Sequence, residues 1–448
     1  MSATILVKAA ILVDGTRADI LVSDGVIVQI GAGLSMPAGT SGTVTVIDGN
    51  GLTALPGLVD LHTHLREPGS EQSETILSGS RAAAIGGFTA VHAMANTSPV
   101  ADNAGVVEQV MSLGDAAGYT TVRPVGAVTA GLEGLRLAEI GAMANSRAQV
   151  RVFSDDGKCV SDALLMRRAL EYVKTFDGVI AQHAQEPRLT EGAQMNEGTL
   201  SGQLGLTGWP AVAEESIIAR DVLLAQHVGA RLNVCHVSTA RSVDVIRWAK
   251  ARGIRVTAEV TPHHLLLTED LALDYDARFK VNPPLRRAED VRALRNGLAD
   301  GTIDIIATDH APHPSEDKDC EWGAAAFGMV GLETALSVVH AAVVHTGHLS
   351  WTDVARVMSR VPAEIGRVPG YEFGIEIGAP ANFTLYDSSV SRVFDTSMLH
   401  GKGRNSPYLA SALPGQIIAT IHRGYPTVLD GKLLAPEELA PYAGVHRG

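Results

Sequence analysis

The sequence predicts an α/β chain. A (β/α)8 barrel of the TIM type spans residues 56–369, and a small β-sandwich domain is formed by both chain ends, 1–55 and 370–448. Three observations carry this. Through the middle of the chain, short apolar β-branched runs alternate with helix-like segments, which means parallel strands joined by crossovers. There are eight such runs, the count that closes a barrel. Both ends read differently, as short alternating strands broken by Asp-Gly, Gly-Asn and Pro turns.

The elements follow in order. TILVKAAILVDG, ADILVSDGVIVQIG and GTVTVIDGNGLTALPG make the N-terminal β layer. The eight barrel strands are LVDLHTH (58–64), FTAVHAMAN (88–96), TTVRPVGAVT (120–129), QVRVFSDD (149–156), VIAQHAQE (179–186), RLNVCHVS (231–238), RVTAEVTPHH (255–264) and TIDIIATDHAPH (302–313). Between them DALLMRRALEYVKTF, EESIIARDVLLAQHVG and AEDVRALRNGL carry apolar residues at three-four spacing, and Asp162 stands where an N-cap belongs. ANFTLYDSSV and QIIATIHRGYPTVLDGK return to the strand pattern. The stretch 314–331, polar and then rich in Gly and Ala, is expected to be a mobile segment at the barrel mouth.

Composition narrows the function classes. The chain is 46% hydrophobic and 19% charged, enough apolar material for a large core. A net charge of -13 argues against nucleic acid or an anionic membrane as partner. Three cysteines with no CxxC pair make no disulfide framework and suit a reducing cytoplasm. The N-terminus lacks a basic stretch followed by a long apolar run, so no signal peptide is expected. Without an apolar run long enough to span a bilayer, no membrane helix is expected either.

Polar residues gather where the strands end. His62 and His64 close the first, Asp155 and Asp156 the fourth; His183 nears the end of the fifth, His236 of the sixth and Asp309 of the eighth. In a (β/α)8 barrel these ends converge on one mouth. Four imidazoles and several carboxylates facing one cavity suit zinc or a similar divalent ion. Side chains at i and i+2 of a strand share a face, so His62 and His64 can grip one ion while Thr63 points away. A lone strand-end histidine is usually structural; the conjunction across five strands is what points to metal. His92 lies within its strand and reads as packing, while His340, His345, His348 and His400 read as solvated or capping. His263 and His264 have no assigned role, and Cys235 reads as core, pointing away from any metal.

PGLVDLHTHLRE (56–67) and ATDHAPH (307–313) resemble the amidohydrolase superfamily. Within it, HLREPG (64–69), AMANTSP (93–99), FSDDG (153–157), VNPPLR (281–286), DHAPH (309–313) and FGMVGLETAL (327–336) resemble dihydroorotases of the long-chain bacterial type, in the expected order and over most of the chain. The resemblance implies reversible hydrolysis of the cyclic amide of (S)-dihydroorotate to N-carbamoyl-L-aspartate, a step of pyrimidine biosynthesis. It further implies two divalent metal ions per subunit, zinc first among them, and a homo-oligomer. A complex with aspartate transcarbamoylase belongs to the same implication. The rivals are an allantoinase or hydantoinase, which share fold and metals, and an inactive scaffold for aspartate transcarbamoylase.

Residue by residue, the resemblance implies that His62 and His64 bind one metal and His183 and His236 the other. Asp309 touches a metal and moves the proton, as base and then as acid. Many relatives bridge the metals with a carboxylated lysine; the long-chain bacterial type uses an aspartate. Asp156 is the choice here, because its spacing of 27 residues from His183 matches that pattern better than Asp155 does. Asp155 would then serve a turn or support a ligand, and Lys158 stands as a rival bridge. Arg66 and Asn96 would hold the substrate carboxylate beside His64, His313 would reach it from the other side, and Asn282 would contact the ring. The backbone at Phe327 and Gly328 would close over that ring. The planar fork of an arginine suits a carboxylate.

Overall fold

The structure is a computed structural model that describes residues 3–37 and 42–439. Its two chain ends share one nine-stranded sheet. The N-terminal strands Ala3–Leu12, Arg17–Ser23 and Val26–Gly31 pair antiparallel in sequence, and Thr43–Asp48 lies parallel to the first. The strand Phe383–Val393 runs antiparallel to Thr53–Pro56, with Phe383 opposite Pro56 and Tyr386 opposite Thr53, and so stitches the C-terminal strands onto the N-terminal ones. Alternation is visible in Thr43–Asp48, whose Val44 and Val46 face out while Ile47 is buried. Ile5, Ile20, Ile27, Phe383 and Ile421 form a separate apolar core for this sheet.

Between the ends, parallel strands alternate with helices. Leu58–Thr63 pairs with Phe88–Ala93, which pairs with Thr121–Pro124. A bridge from Gly126 to Phe153 passes to Val152–Phe153, and the parallel ladder continues through Val179–Gln182, Arg231–Val234, Val256–Val260 and Ile305–Ile306. A parallel bridge from His310 to Thr63 then returns to the first strand. Leu61, Met94, Val125, Val152, Val179 and Cys235 cluster together, one from each of six successive strands or its end. Each such buried aliphatic contributes about 1.5–3 kcal/mol.

The helices start and stop where their sequences direct. Asp162 caps Ala163–Val173, its side chain accepting from the Leu165 amide at 2.7 Å. Val212–Val228 ends at Gly229 in the left-handed conformation, and Ala288–Ala299 covers the third expected helix.

The parallel strands are shorter than their apolar runs. The backbone leaves the ladder at the C-terminal strand ends because side chains, not neighbouring strands, take its amides. Val128 and Thr129 donate to Asp155, Thr308 to Asp60, and His236 to Glu259. Arg66, His236 and Asp309 adopt positive φ at 63°, 30° and 49°. Such left-handed residues cost on the order of 1–3 kcal/mol each and persist only where surroundings hold them. Among the described residues no helix is long and apolar enough to cross a membrane.

Candidate active site

The strand ends bring six expected residues to one point. Asp156 stands at its centre and divides its two oxygens between two histidine pairs. Oδ2 lies 3.2 Å from Nε2 of both His62 and His64. Oδ1 lies 3.1 Å from Nδ1 of His183 and from Nε2 of His236. Asp309 Oδ1 approaches Nε2 of His64 at 3.1 Å and of His62 at 3.5 Å. All six residues are buried.

The outer atoms of three imidazoles determine how their inner atoms are used. His62 Nδ1 lies 2.6 Å from Glu259 Oε1, His64 Nδ1 2.9 Å from Asn96 Oδ1, and His183 Nε2 2.7 Å from Gln185 Oε1. Each partner oxygen accepts, so each ring spends its proton outward and turns a lone pair inward. His183 Nδ1 and His236 Nε2 lie only 2.9 Å apart. Inward lone pairs crowded against carboxylate oxygens repel unless a cation sits among them. Buried His62 Nε2 makes no hydrogen bond despite its nearness to Asp156, because the direction is wrong for one. The donor set therefore fits divalent metal. His62, His64, Asp156 and Asp309 form one group whose ligand atoms lie within 4.8 Å of one another; Asp156, His183 and His236 form a second.

Electrostatics agree. Burial alone would lower the pKa of His62, yet the carboxylates of Asp156, Glu259 and Asp309 raise it well above its ordinary value. Burial would raise Asp156, but the charge on His62 and the bonds from His183 and His236 hold it well below the carboxylate range. Asp309 is lowered against burial in the same way by His62 and His64. Without a metal, the carboxylates stay ionised by drawing protons onto His62, His64 and His183, the places a metal would take.

The other candidates fall into place around this centre. Asp155 is turned away, accepting from the amides of Val128 and Thr129 and from the Thr129 hydroxyl, and Lys158 is exposed. Arg66 donates from Nε to the Pro312 carbonyl at 3.2 Å. Asn282 donates to Gln185 at 3.1 Å, while its buried Oδ1 has no partner. His313 Nε2 donates to the Phe327 carbonyl at 2.8 Å. Gly328 has φ of 140°, and a Cβ there would come within 2.8 Å of both Ala311 Cβ and His313 Nε2.

Several expectations need adjustment. Cys235 is buried among apolar side chains, but its thiol also lies within 4.8 Å of ligand atoms of His62 and Glu259, so it does not simply face away. His340 is half-buried, packing on Trp351 and Tyr386 rather than standing in solvent. His264 bonds Thr261 and the Pro283 carbonyl and braces the VNPPLR turn. The stretch 314–331 is tied down at several points rather than loose: Lys318 and Trp322 are buried, and the Ala311 amide bonds the Met329 carbonyl. Glu259 and Gln185 were missed. A glutamate inside the apolar run VTAEV was a usable signal, since a buried acid needs a partner. Gln185 offered none.

A family model described as dihydro-orotase-like matches residues 51–242. The dihydroorotase of Leifsonia xyli subsp. xyli is 73% identical over 431 residues, covering 96% of this chain and 97% of that one. Those of Streptomyces coelicolor and Mycobacterium tuberculosis are 61% and 53% identical, with 96% and 94% of this chain and 99% and 97% of theirs covered. Among solved structures, the L-hydantoinase (dihydropyrimidinase) of Arthrobacter aurescens superimposes with a TM-score of 0.84 at 26% identity, covering 96% of this chain and 97% of that one. The D-hydantoinase of Bacillus sp. AR9 gives 0.81 at 20% identity, with 96% of each covered, a likeness of fold. With such identity along nearly its whole length, the chain belongs to the dihydroorotase family.

Proposed function

We propose that the protein hydrolyses the cyclic amide of dihydroorotate to N-carbamoyl-L-aspartate, and closes it in reverse, at a two-metal centre in the mouth of a closed (β/α)8 barrel. The barrel reading rests on the cycle of parallel pairings that leaves and regains Leu58–Thr63. The small β domain of 1–55 and 370–448 rests on the pairing of Phe383–Val393 with Thr53–Pro56. The observation that carries the function is the division of Asp156 between two histidine pairs in a chain this close to known dihydroorotases.

His62 and His64, with Asp309 and one oxygen of Asp156, would hold one ion; His183 and His236, with the other oxygen, would hold the second. Zinc matches this nitrogen and carboxylate set, and such ions polarise the scissile carbonyl and bring water towards ionisation near neutral pH. The chain's own groups do the rest. Arg66 and Asn96 take the substrate carboxylate beside His64, with His313 on its other side. The unpartnered Asn282 Oδ1 is free to accept from a ring N–H. Asp309, held ionised, accepts the proton of the attacking water. Once protonated it is a strong acid for its setting, and it delivers that proton to the departing ring nitrogen.

A hydantoinase reading is the alternative that the fold likeness favours. Arg66 separates the two, because a hydantoin ring carries no carboxylate for it. The test is dihydroorotate hydrolysis by the zinc-loaded protein and by Arg66→Met. Loss of the charged contact should raise KM about 10–100-fold with metal content unchanged. A wild-type protein that leaves dihydroorotate intact would sink the reading, and an unchanged KM in the variant would remove Arg66 from it.

A further inference from the structure

Lys318 is 8% exposed, and its ammonium is spent on three backbone carbonyls: Lys280 at 3.1 Å, Ala326 at 2.8 Å and Gly328 at 3.0 Å. An ammonium has three N–H donors, so each is used. Buried lysines are rare unless paired, and none of these three partners is a carboxylate. The carbonyls are placed in an informative way. Ala326 and Gly328 flank Phe327, and Lys280 lies two residues before Asn282. The Gly328 amide also donates to the Lys280 carbonyl at 3.0 Å, closing the same junction. Above it, the Lys280 ammonium lies 4.5 Å from the Phe327 ring centroid and bonds the Trp322 carbonyl. One charge therefore joins the two backbone segments to which the substrate ring is assigned.

We propose that Lys318 is a positioning residue for the cyclic substrate, its ammonium setting the distance between the Asn282 turn and the Phe327–Gly328 backbone. This rests on the dihydroorotate reading above. A lysine suits the task better than an arginine. Three carbonyls converging on one point match a compact ammonium, whereas a planar fork would spread them. Lys280, Asp276, Cys320 and His313 are the charged and titratable groups that face it. Burial and the Lys280 charge bring Lys318 down to about 7, against the pull of Asp276 and Cys320. His313, lowered to about 3 by burial, Arg66 and Lys318, does not titrate in that range.

The experiment compares wild-type protein with Lys318→Met on dihydroorotate, with metal content and melting temperature measured alongside. In the variant, KM should rise about tenfold while kcat falls less than about threefold, because the ring clamp acts on bound substrate and transition state alike. Wild-type KM should also climb as pH passes about 7, a dependence that Lys318→Met lacks. Should the methionine variant not accumulate folded, Lys318→Arg carries the test, since it keeps charge and bulk but misplaces the donors. A folded, metal-loaded variant with KM within about twofold of wild type overturns the proposal, and so does one that keeps the wild-type pH dependence. Failure of the wild-type protein to open dihydroorotate is a different result, and removes the parent reading before any variant is made.

Discussion

At the scale of single residues, the centre depends on what lies behind its candidate ligands. The proposed mechanism asks Asp309 both to accept and to return a proton. Asp309→Asn should lower turnover about 10³-fold or more while most metal stays bound, because His62, His64, His183, His236 and Asp156 remain. Metal analysis with steady-state rates checks this, and near-normal activity would end the proposed role. Glu259 acts through His62, from whose Nδ1 it accepts a hydrogen bond at 2.6 Å. Glu259→Gln should weaken metal affinity about 10–100-fold with less effect on the fully loaded enzyme. A zinc titration with activity as readout would show it; unchanged affinity would reduce Glu259 to a packing role. The cluster was legible because imidazole and carboxylate recur at five strand ends that the parallel ladder brings together, a donor set that suits a metal. Choosing Asp156 over Asp155 was not a matter of residue type, since the two are adjacent and identical. The spacing of 27 residues to His183 favoured Asp156, and the turn that hands Asp155 to the Val128 and Thr129 amides shows why Asp155 is the one turned away.

At the scale of elements, helices were easier to place than strand ends. Ala163–Val173 begins after the cap the sequence offered, and Val212–Val228 stops at its glycine. Strand lengths were overestimated because apolar pattern reports burial, and burial continues past the ladder into the candidate site. A helix cap away from the site and a glycine within it should respond differently to change. Asp162→Ala removes a cap and should cost about 1 kcal/mol of stability with KM unmoved, which thermal unfolding and kinetics together would check. Gly328→Ala lies in a backbone region only glycine enters readily, and its Cβ would strike Ala311 and His313. It should lower the melting temperature through that strain and clash, and raise KM or abolish activity in the protein that remains folded; normal kinetics would show that the Phe327–Gly328 backbone does not meet substrate.

At the scale of the whole molecule, metal and pH are linked. In the metal-free protein, His62, His64 and His183 have folded pKa values above 6.5, so their contribution is complete below 6.5 and is lost as pH rises through the folded values. Asp156 and Asp309 are lowered below 3.8, so theirs is present above 3.8 and lost only as pH falls through the folded values. The metal-free protein therefore weakens as histidines lose their protons, while metal binding strengthens because its ligands are then free. The stabilisation brought by zinc should grow from about pH 5 to about pH 8, read as the difference in melting temperature with and without metal. A difference that shrinks over that range would contradict the ligand assignment. The sheet shared by the two chain ends was legible from their common strand pattern, whereas its seam, Phe383–Val393 against Thr53–Pro56, needs register that no single strand reveals. A site that opens a cyclic amide bearing a carboxylate should demand that carboxylate of its substrate. The most direct measurement is ring opening of dihydroorotate beside dihydrouracil, the same ring without that carboxylate, by protein whose metal has been counted. Rapid hydrolysis of dihydroorotate with about two ions per chain, and dihydrouracil slower by about 100-fold or more, is the predicted result. Equal or faster hydrolysis of dihydrouracil would contradict it.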